Sequence, residues 1–201
     1  MPTDFVYLAS GSPRRRELLQ QIGVPFRVVG TVVDEAVLPG ETSLAYVMRL
    51  AAAKAGVGWE RSRDATQVPV LAADTAVILD GRILGKPADR QDAERMLRQL
   101  SGRTHEVLTA IALRTGSGVQ ARISRSEVTF RVIDAGEARA YWETGEPSDK
   151  AGAYAIQGRA AIFVANLRGS YSGVMGLPLF ETAELLGQAG VVRWHSSGVP
   201  R

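Results

Sequence analysis

The chain has no cysteine and only two histidines, His105 and His195, in 201 residues. That excludes disulfides, thiolate nucleophiles, iron–sulfur clusters and cysteine zinc sites, and leaves little for an imidazole-based metal site. Lysine is nearly missing too. Lys54, Lys86 and Lys150 are the only three among 24 basic residues. No apolar run approaches the roughly 20 residues that span a bilayer, and no long block of like charge forms a basic tail. The N-terminus passes from a short apolar stretch straight into arginines, the reverse of a signal peptide. A cytoplasmic protein with no membrane association is expected.

The residues that are present describe an ordinary globular chain, 45% hydrophobic and 22% charged. A net charge of +3 and a pI near 9.5 attract anions without demanding nucleic acid. The 21 glycines fall between periodic segments and act as turn punctuation, not low complexity. With no linker or repeat, we expect one domain over residues 1–195, two lobes around a cleft, and a polar tail over 196–201.

Phe5 to Ala9 is a short apolar run that predicts a first strand. Ser12 as N-cap and Pro13 at the first helical position then open a helix with a Leu18, Leu19, Ile22 stripe, closed by Gly23. A second strand is expected from Phe26 to Val33, running into Asp34 and Glu35. Thr42 or Ser43 caps a helix through Val47, Leu50, Ala51 and Lys54, with Gly56 as its stop and a polar loop from Gly58 to Gln67. Val68 to Ala73 is almost wholly apolar, which predicts a buried strand of parallel type ending at Asp74 and Thr75. Ala76 to Leu79 and Arg82 to Leu84 flank Asp80-Gly81, a hairpin signal.

Asp89 starts a helix that Gly102 stops. Glu106 to Arg114 and Val119 to Val132 alternate and predict a long antiparallel pair. Asp134 and Glu137 resemble a capping box for a helix through Tyr141. A loop from Gly145 to Gly158, a strand from Ala161 to Leu167 and a helix from Leu177 to Ala189 complete the order. The fold class is α/β, as a mixed α+β sheet.

The Gly11-Ser12-Pro13 junction is a candidate anion site, because N–H groups at a helix start point outward and the dipole favours negative charge. Arg14 and Arg15 there oppose the dipole unless an anion sits between them. The alternative is a serine cap with solvated arginines. Glu35 and Asp74, each at a strand end, would open side by side into a crevice at the sheet edge. Carboxylates without histidine or cysteine are hard oxygen ligands suited to Mg²⁺ or Mn²⁺. Acids in loops are commonplace, so the case is weaker for Asp34 and Glu35 than for Asp74.

In a chain so rich in arginine, the surviving lysines read as compact point charges for phosphate. All three stand beside small residues, although any one could be a surface lysine with its stem laid flat. Two decoys fail. Gly81 to Lys86 is one residue short of a Walker loop and sits in a hairpin. Leu50 to Val57 resembles a helix-turn-helix turn, but the next segment has no apolar period. His105 reads as structural.

Several blocks occur in order: Leu8 to Arg15, Asp34-Glu35, Ala51 to Ala55 around Lys54, Ala73-Asp74-Thr75 and Gly85-Lys86-Pro87. They are followed by Leu100 to His105, Asp149 to Gly158, Gly169-Ser170-Tyr171 and Gly176-Leu177-Pro178. Together they resemble the Maf family of nucleoside triphosphate pyrophosphatases, from about Val6 to Leu186. The resemblance implies two lobes around a deep cleft, similar to inosine triphosphatases. It also implies a divalent-metal-dependent house-cleaning hydrolase that cuts between the α- and β-phosphates. Asp74 is then the proton acceptor. Arg14, Thr75 and Gln157 are associated with base choice and look like the subgroup acting on dTTP and UTP. Alanine stands at 155 where glycine is commoner. Family members often appear as dimers and have been linked to septum formation.

These two readings converge. Glu35 and Asp74 hold the metal, and Asp74 orients or deprotonates the attacking water. Lys54 and Lys86 belong to the catalytic set, with Ser12, Arg14, Arg15 and Lys150 on the phosphates and Thr75 and Gln157 on a pyrimidine. The expected partners are a nucleoside triphosphate and a second copy of the chain, with no nucleic acid. A competing class is a nucleic-acid-binding or cell-division regulatory protein, which the basic pI and first helix would serve. Carboxylates inside such a surface would repel phosphate. A phosphomonoesterase, which releases orthophosphate, is a third class.

Overall fold

Alternation decides the architecture, and one strand carries most of it. In the computed structural model, which describes residues 5–62 and 68–191, β1 is Val6–Leu8, β2 is Phe26–Val28 and β3 is Val70–Leu79. Strand β4, Arg82–Leu84, folds back on β3 through Asp80 and Gly81, both at positive φ, 50° and 75°. Strands β5, Thr104–Thr115, and β6, Gly118–Phe130, form the long antiparallel pair, and β7 is Val164–Arg168. The sheet runs β2-β1-β3-β5-β6-β7, with β4 paired to β3.

Helices pack on both faces. Helix α1, Pro13–Gln21, and α6, Leu179–Gln188, cover a leucine-rich face built from Leu8, Leu71, Ile111 and Leu113. Helix α2, Ser43–Arg61, covers the other, where Ala72, Ala76, Ala110 and Ala112 meet Ala51 and Ala55. Alanine on both sides lets helix and sheet approach closely. The second lobe gathers α3, Arg90–Leu100, and α4, Ala135–Glu143, around Phe130, Tyr141, Tyr154 and Phe163. The capping box expected at Asp134 and Glu137 is present in full. Helix α5, Tyr171–Met175, is capped by Ser170.

Several expectations need correction. Helix α2 does not stop at Gly56 but runs through Gly58 to Arg61. A Cβ at Gly58 would lie 2.8 Å from Val70 and 2.9 Å from Ala9, so this glycine is there for packing. Strand β2 ends at Val28 instead of Val33, because its only partner among the described residues, β1, is three residues long. Strand β3 does not end at Asp74, since pairing with β5 continues to Ile78. Its neighbours are mixed, parallel to β1 and antiparallel to β5. Residues 159–163 wind into a 3-10 turn before β7, where a strand from Ala161 was expected, and the short helix α5 follows β7. His195, the tail over 196–201 and the end of the Gly58–Gln67 loop lie outside the described residues.

Candidate active site

Between the lobes lies a cleft of about 580 Å³, and its lining includes all ten residues singled out from the sequence. Their geometry differs from the expected one. β1 lies between β2 and β3, so Glu35 and Asp74 do not leave adjacent strand ends. Asp74 instead projects from the middle of β3 on the α2 face, and Glu35 arrives on the loop after β2. That loop is tied to α2: Tyr46 Oη donates to the Glu35 carbonyl at 3.0 Å, and Arg49 Nη2 to the Ala36 carbonyl at 3.0 Å.

Lys54 on α2 joins the two acids. Its Nζ lies 2.6 Å from Asp74 Oδ1 and 2.6 Å from Glu35 Oε1. Asp74 has only 9% of its side chain exposed, and Glu35 has 48%. The environments split their acidities. Burial pushes Asp74 up, and the opposing pull of Lys54 and Arg15 does not cancel it. Burial also works against the Glu35 carboxylate, but the Lys54 hydrogen bond and the charges of Lys54, Lys86 and Arg15 bring it below its ordinary value. The Tyr46 phenol is pushed up to about 12, by burial first and then by the charges of Asp74 and Glu35.

The other face of β3 works by hydrogen bonds. Thr75 pairs across the strands with Thr109, oxygen to oxygen at 2.9 Å, and accepts from Arg15 Nη2 at 3.2 Å. Arg15 also donates through Nε to the Gly176 carbonyl at 2.7 Å and through Nη1 to Ser10 Oγ at 3.2 Å. Three of its five N–H groups are thus spent inside the protein, so Arg15 is a strut between α1, β3 and the loop after α5. Burial lowers its pKa, with Asp74 and Glu35 pulling the other way. Ser12 occupies the N-cap position of α1 without a side-chain capping bond, and its N–H donates to Ser10 Oγ at 3.2 Å.

The second lobe supplies the remaining groups. Gly152 N–H donates to the Gly85 carbonyl at 3.0 Å, which ties the segment carrying the Asp149-Lys150 ion pair to the one carrying Lys86. A Cβ at Gly152 would lie 2.9 Å from Val77, and its φ of +67° excludes most side chains. Gln157 is held from both flanks. Ala155 N–H donates to Tyr141 Oη at 3.1 Å, Tyr141 donates to Glu146 Oε1 at 2.7 Å, and Arg159 N–H donates to Glu146 Oε2 at 3.1 Å. His105 is buried under this segment, with Nε2 2.8 Å from Tyr154 Oη, and burial lowers it to about 4. It is a neutral structural histidine, as the sequence suggested.

Sequence reasoning did not find Ser10, Tyr46, Thr109, Tyr141 or Glu146 as site support. Their partners are mostly remote in the chain, and no local pattern marks them.

No group of three or more acidic or histidine ligands occurs among the described residues. The donor set nevertheless fits a hard divalent cation that keeps water and substrate oxygens, since Mg²⁺ commonly takes only one or two protein carboxylates. Charge points the same way. The cleft lining holds five cations (Arg14, Arg15, Lys54, Lys86, Lys150) against three carboxylates (Glu35, Asp74, Asp149). A triphosphate carries about four negative charges, so one divalent ion balances the surplus.

Residues 5–189 match the family model described as Maf-like protein. The chain is 55% identical over 196 residues to a dTTP/UTP pyrophosphatase of Aromatoleum aromaticum, covering 92% of this chain and 95% of that one. It is 54% identical over 184 residues to a dTTP/UTP pyrophosphatase of Methylococcus capsulatus, covering 92% and 90%. A solved structure, the Staphylococcus aureus Ham1 protein, overlaps 64% of this chain and 72% of that one at 16% identity. The TM-score of that overlap is 0.37.

Proposed function

The chain belongs to the Maf-like protein family, and from that premise we propose that it hydrolyses dTTP and UTP to the nucleoside monophosphate and pyrophosphate. The observation that carries the reading is the Glu35–Lys54–Asp74 cluster opening into a cleft with a cationic surplus. Such a cleft attracts a polyphosphate, and a buried carboxylate beside it can take a proton from water.

The triphosphate lies along Ser12, Arg14, Lys86 and Lys150, with the N–H groups at the start of α1 contributing their partial charge. Asp74 accepts a proton from a water at its carboxylate. The water oxygen attacks the α-phosphorus, the bond to the bridging oxygen breaks, and that electron pair leaves on pyrophosphate. The upward shift of Asp74 suits this step, because a base nearer the working pH accepts a proton more readily. Lys54 holds both acids in place and stabilises their charge. Glu35 and Asp74 would hold the divalent cation, which when bound neutralises phosphate charge and makes water more acidic. The base lies toward Thr75, Gln157 and Gly176, where a hydroxyl and an amide offer hydrogen bonds to its edge. We place the enzyme in the cytoplasm, acting on free nucleotides; no helix among the described residues is long and apolar enough to cross a membrane.

A product-resolved assay tests the reading. With Mg²⁺ or Mn²⁺, dTTP and UTP should give monophosphate and pyrophosphate faster than dCTP or dGTP, and chelation should abolish release. Orthophosphate as the first product would contradict it, as would undiminished turnover in excess chelator.

A further inference from the structure

Counting protons across β3 and β5 fixes the state of one cleft hydroxyl. Thr109 is 1% exposed, so water does not compete for it. Its single O–H donates to the Gly173 carbonyl at 2.7 Å, an atom that can only accept. The 2.9 Å contact between Thr109 Oγ1 and Thr75 Oγ1 must therefore use the proton of Thr75. Arg15 Nη2, which can only donate, takes one lone pair of Thr75 Oγ1 at 3.2 Å. What Thr75 has left to offer the cleft is one lone pair. Turning its hydroxyl outward would leave two oxygens facing each other at 2.9 Å with no hydrogen between them, and the buried Thr109 oxygen would lose the one bond it accepts.

We propose that Thr109 is a specificity-positioning residue: it fixes Thr75 as a pure acceptor, which reads the N3–H of uracil or thymine. This rests on the base lying against Thr75, as in the proposed function. Uracil and thymine each carry one donor on their pairing edge, N3–H, with carbonyl oxygens on either side. An oxygen that can only accept has one productive place to meet them. Cytosine presents a bare nitrogen at that position, so two lone pairs would oppose each other. A site committed to a hydrogen bond rejects the analogue that cannot form it far better than an apolar pocket rejects a change in size.

The test compares dTTP, dCTP and N3-methyl-dTTP, with pyrophosphate as readout, on the parent and three variants. The parent must cleave dTTP; if it does not, the proposed function fails before this inference is reached. Given that activity, N3-methylation should lower kcat/KM by roughly ten- to a hundredfold. Thr75→Val, equal in volume, should lose activity on dTTP but little on the N3-methyl compound. Thr109→Val should cut the preference for dTTP over dCTP by about tenfold, mainly through KM, while Thr109→Ser keeps it. Equal cleavage of dTTP and its N3-methyl analogue by the parent would overturn the inference. So would a Thr109→Val enzyme that melts lower yet keeps the parental base preference, which is what a merely structural threonine would give. Should Thr109→Val not fold, Thr109→Ala carries the same comparison of dTTP with dCTP, and the parental base preference in that variant would likewise overturn the inference.

Discussion

The two faces of strand β3 do different work one residue apart. On the α2 face, small alanines bring the helix close, and Asp74 meets Lys54 in an ion pair from which water is largely excluded. On the other face, leucines fill the core and Thr75 enters a chain of neutral and arginine hydrogen bonds reaching α1, β5 and α5. The first face is built for charge and proton transfer. The second is built for donor–acceptor pattern, which distinguishes bases. Because side chains alternate along a strand, two consecutive residues can serve the two ends of one nucleotide.

Breaking the charged face should cost most. Asp74→Asn should reduce pyrophosphate release by roughly 10²- to 10⁴-fold while leaving dTTP binding near the parental level, as followed by calorimetry. Near-parental turnover would remove Asp74 from the proton transfer. Next comes the packing that brings α2 close. Gly58→Val forces atoms into the space held by Val70 and Ala9 and should destabilise by about 1–3 kcal/mol. Chemical unfolding reads this, and an unchanged midpoint would mean that the helix can shift away at no cost.

The smallest effects concern pH and run in opposite directions. Folding raises Asp74, so the stability linked to it is present in acid and lost as pH rises through the raised value. Asp74→Asn should therefore melt higher than the parent at neutral pH, with the gap closing in acid. His105 is lowered from 6.5 to about 4, so its contribution is present above 6.5 and lost as pH falls through 4. His105→Gln should flatten the thermal-stability profile over that window. Parallel profiles for the parent and either variant would contradict the corresponding assignment.

Elements with local punctuation were legible in the sequence. Ser12-Pro13 opens α1, Asp80-Gly81 turns the hairpin, and Asp134 with Glu137 caps α4. What failed was set by tertiary contact. Gly56 looks like a helix stop and Gly58 like the start of a loop, but packing of Gly58 against Val70 carries α2 onward. Asp74 looks like a strand end, but β5 carries the ladder past it. The site residues were visible by type, as scarce lysines and acids beside small residues. Their grouping was not, because the Thr75–Thr109 pair depends on register and the Tyr141–Glu146–Arg159 bonds that flank Gln157 depend on a folded loop.

The most direct test is the crystal structure of Asp74→Asn soaked with dTTP and Mg²⁺. The α-phosphate should lie beside residue 74, the outer phosphates toward Lys86 and Lys150, and N3 of thymine within hydrogen-bond distance of Thr75 Oγ1. A nucleotide bound the other way round, with its base against Lys86 and its phosphates against Thr75, would contradict it.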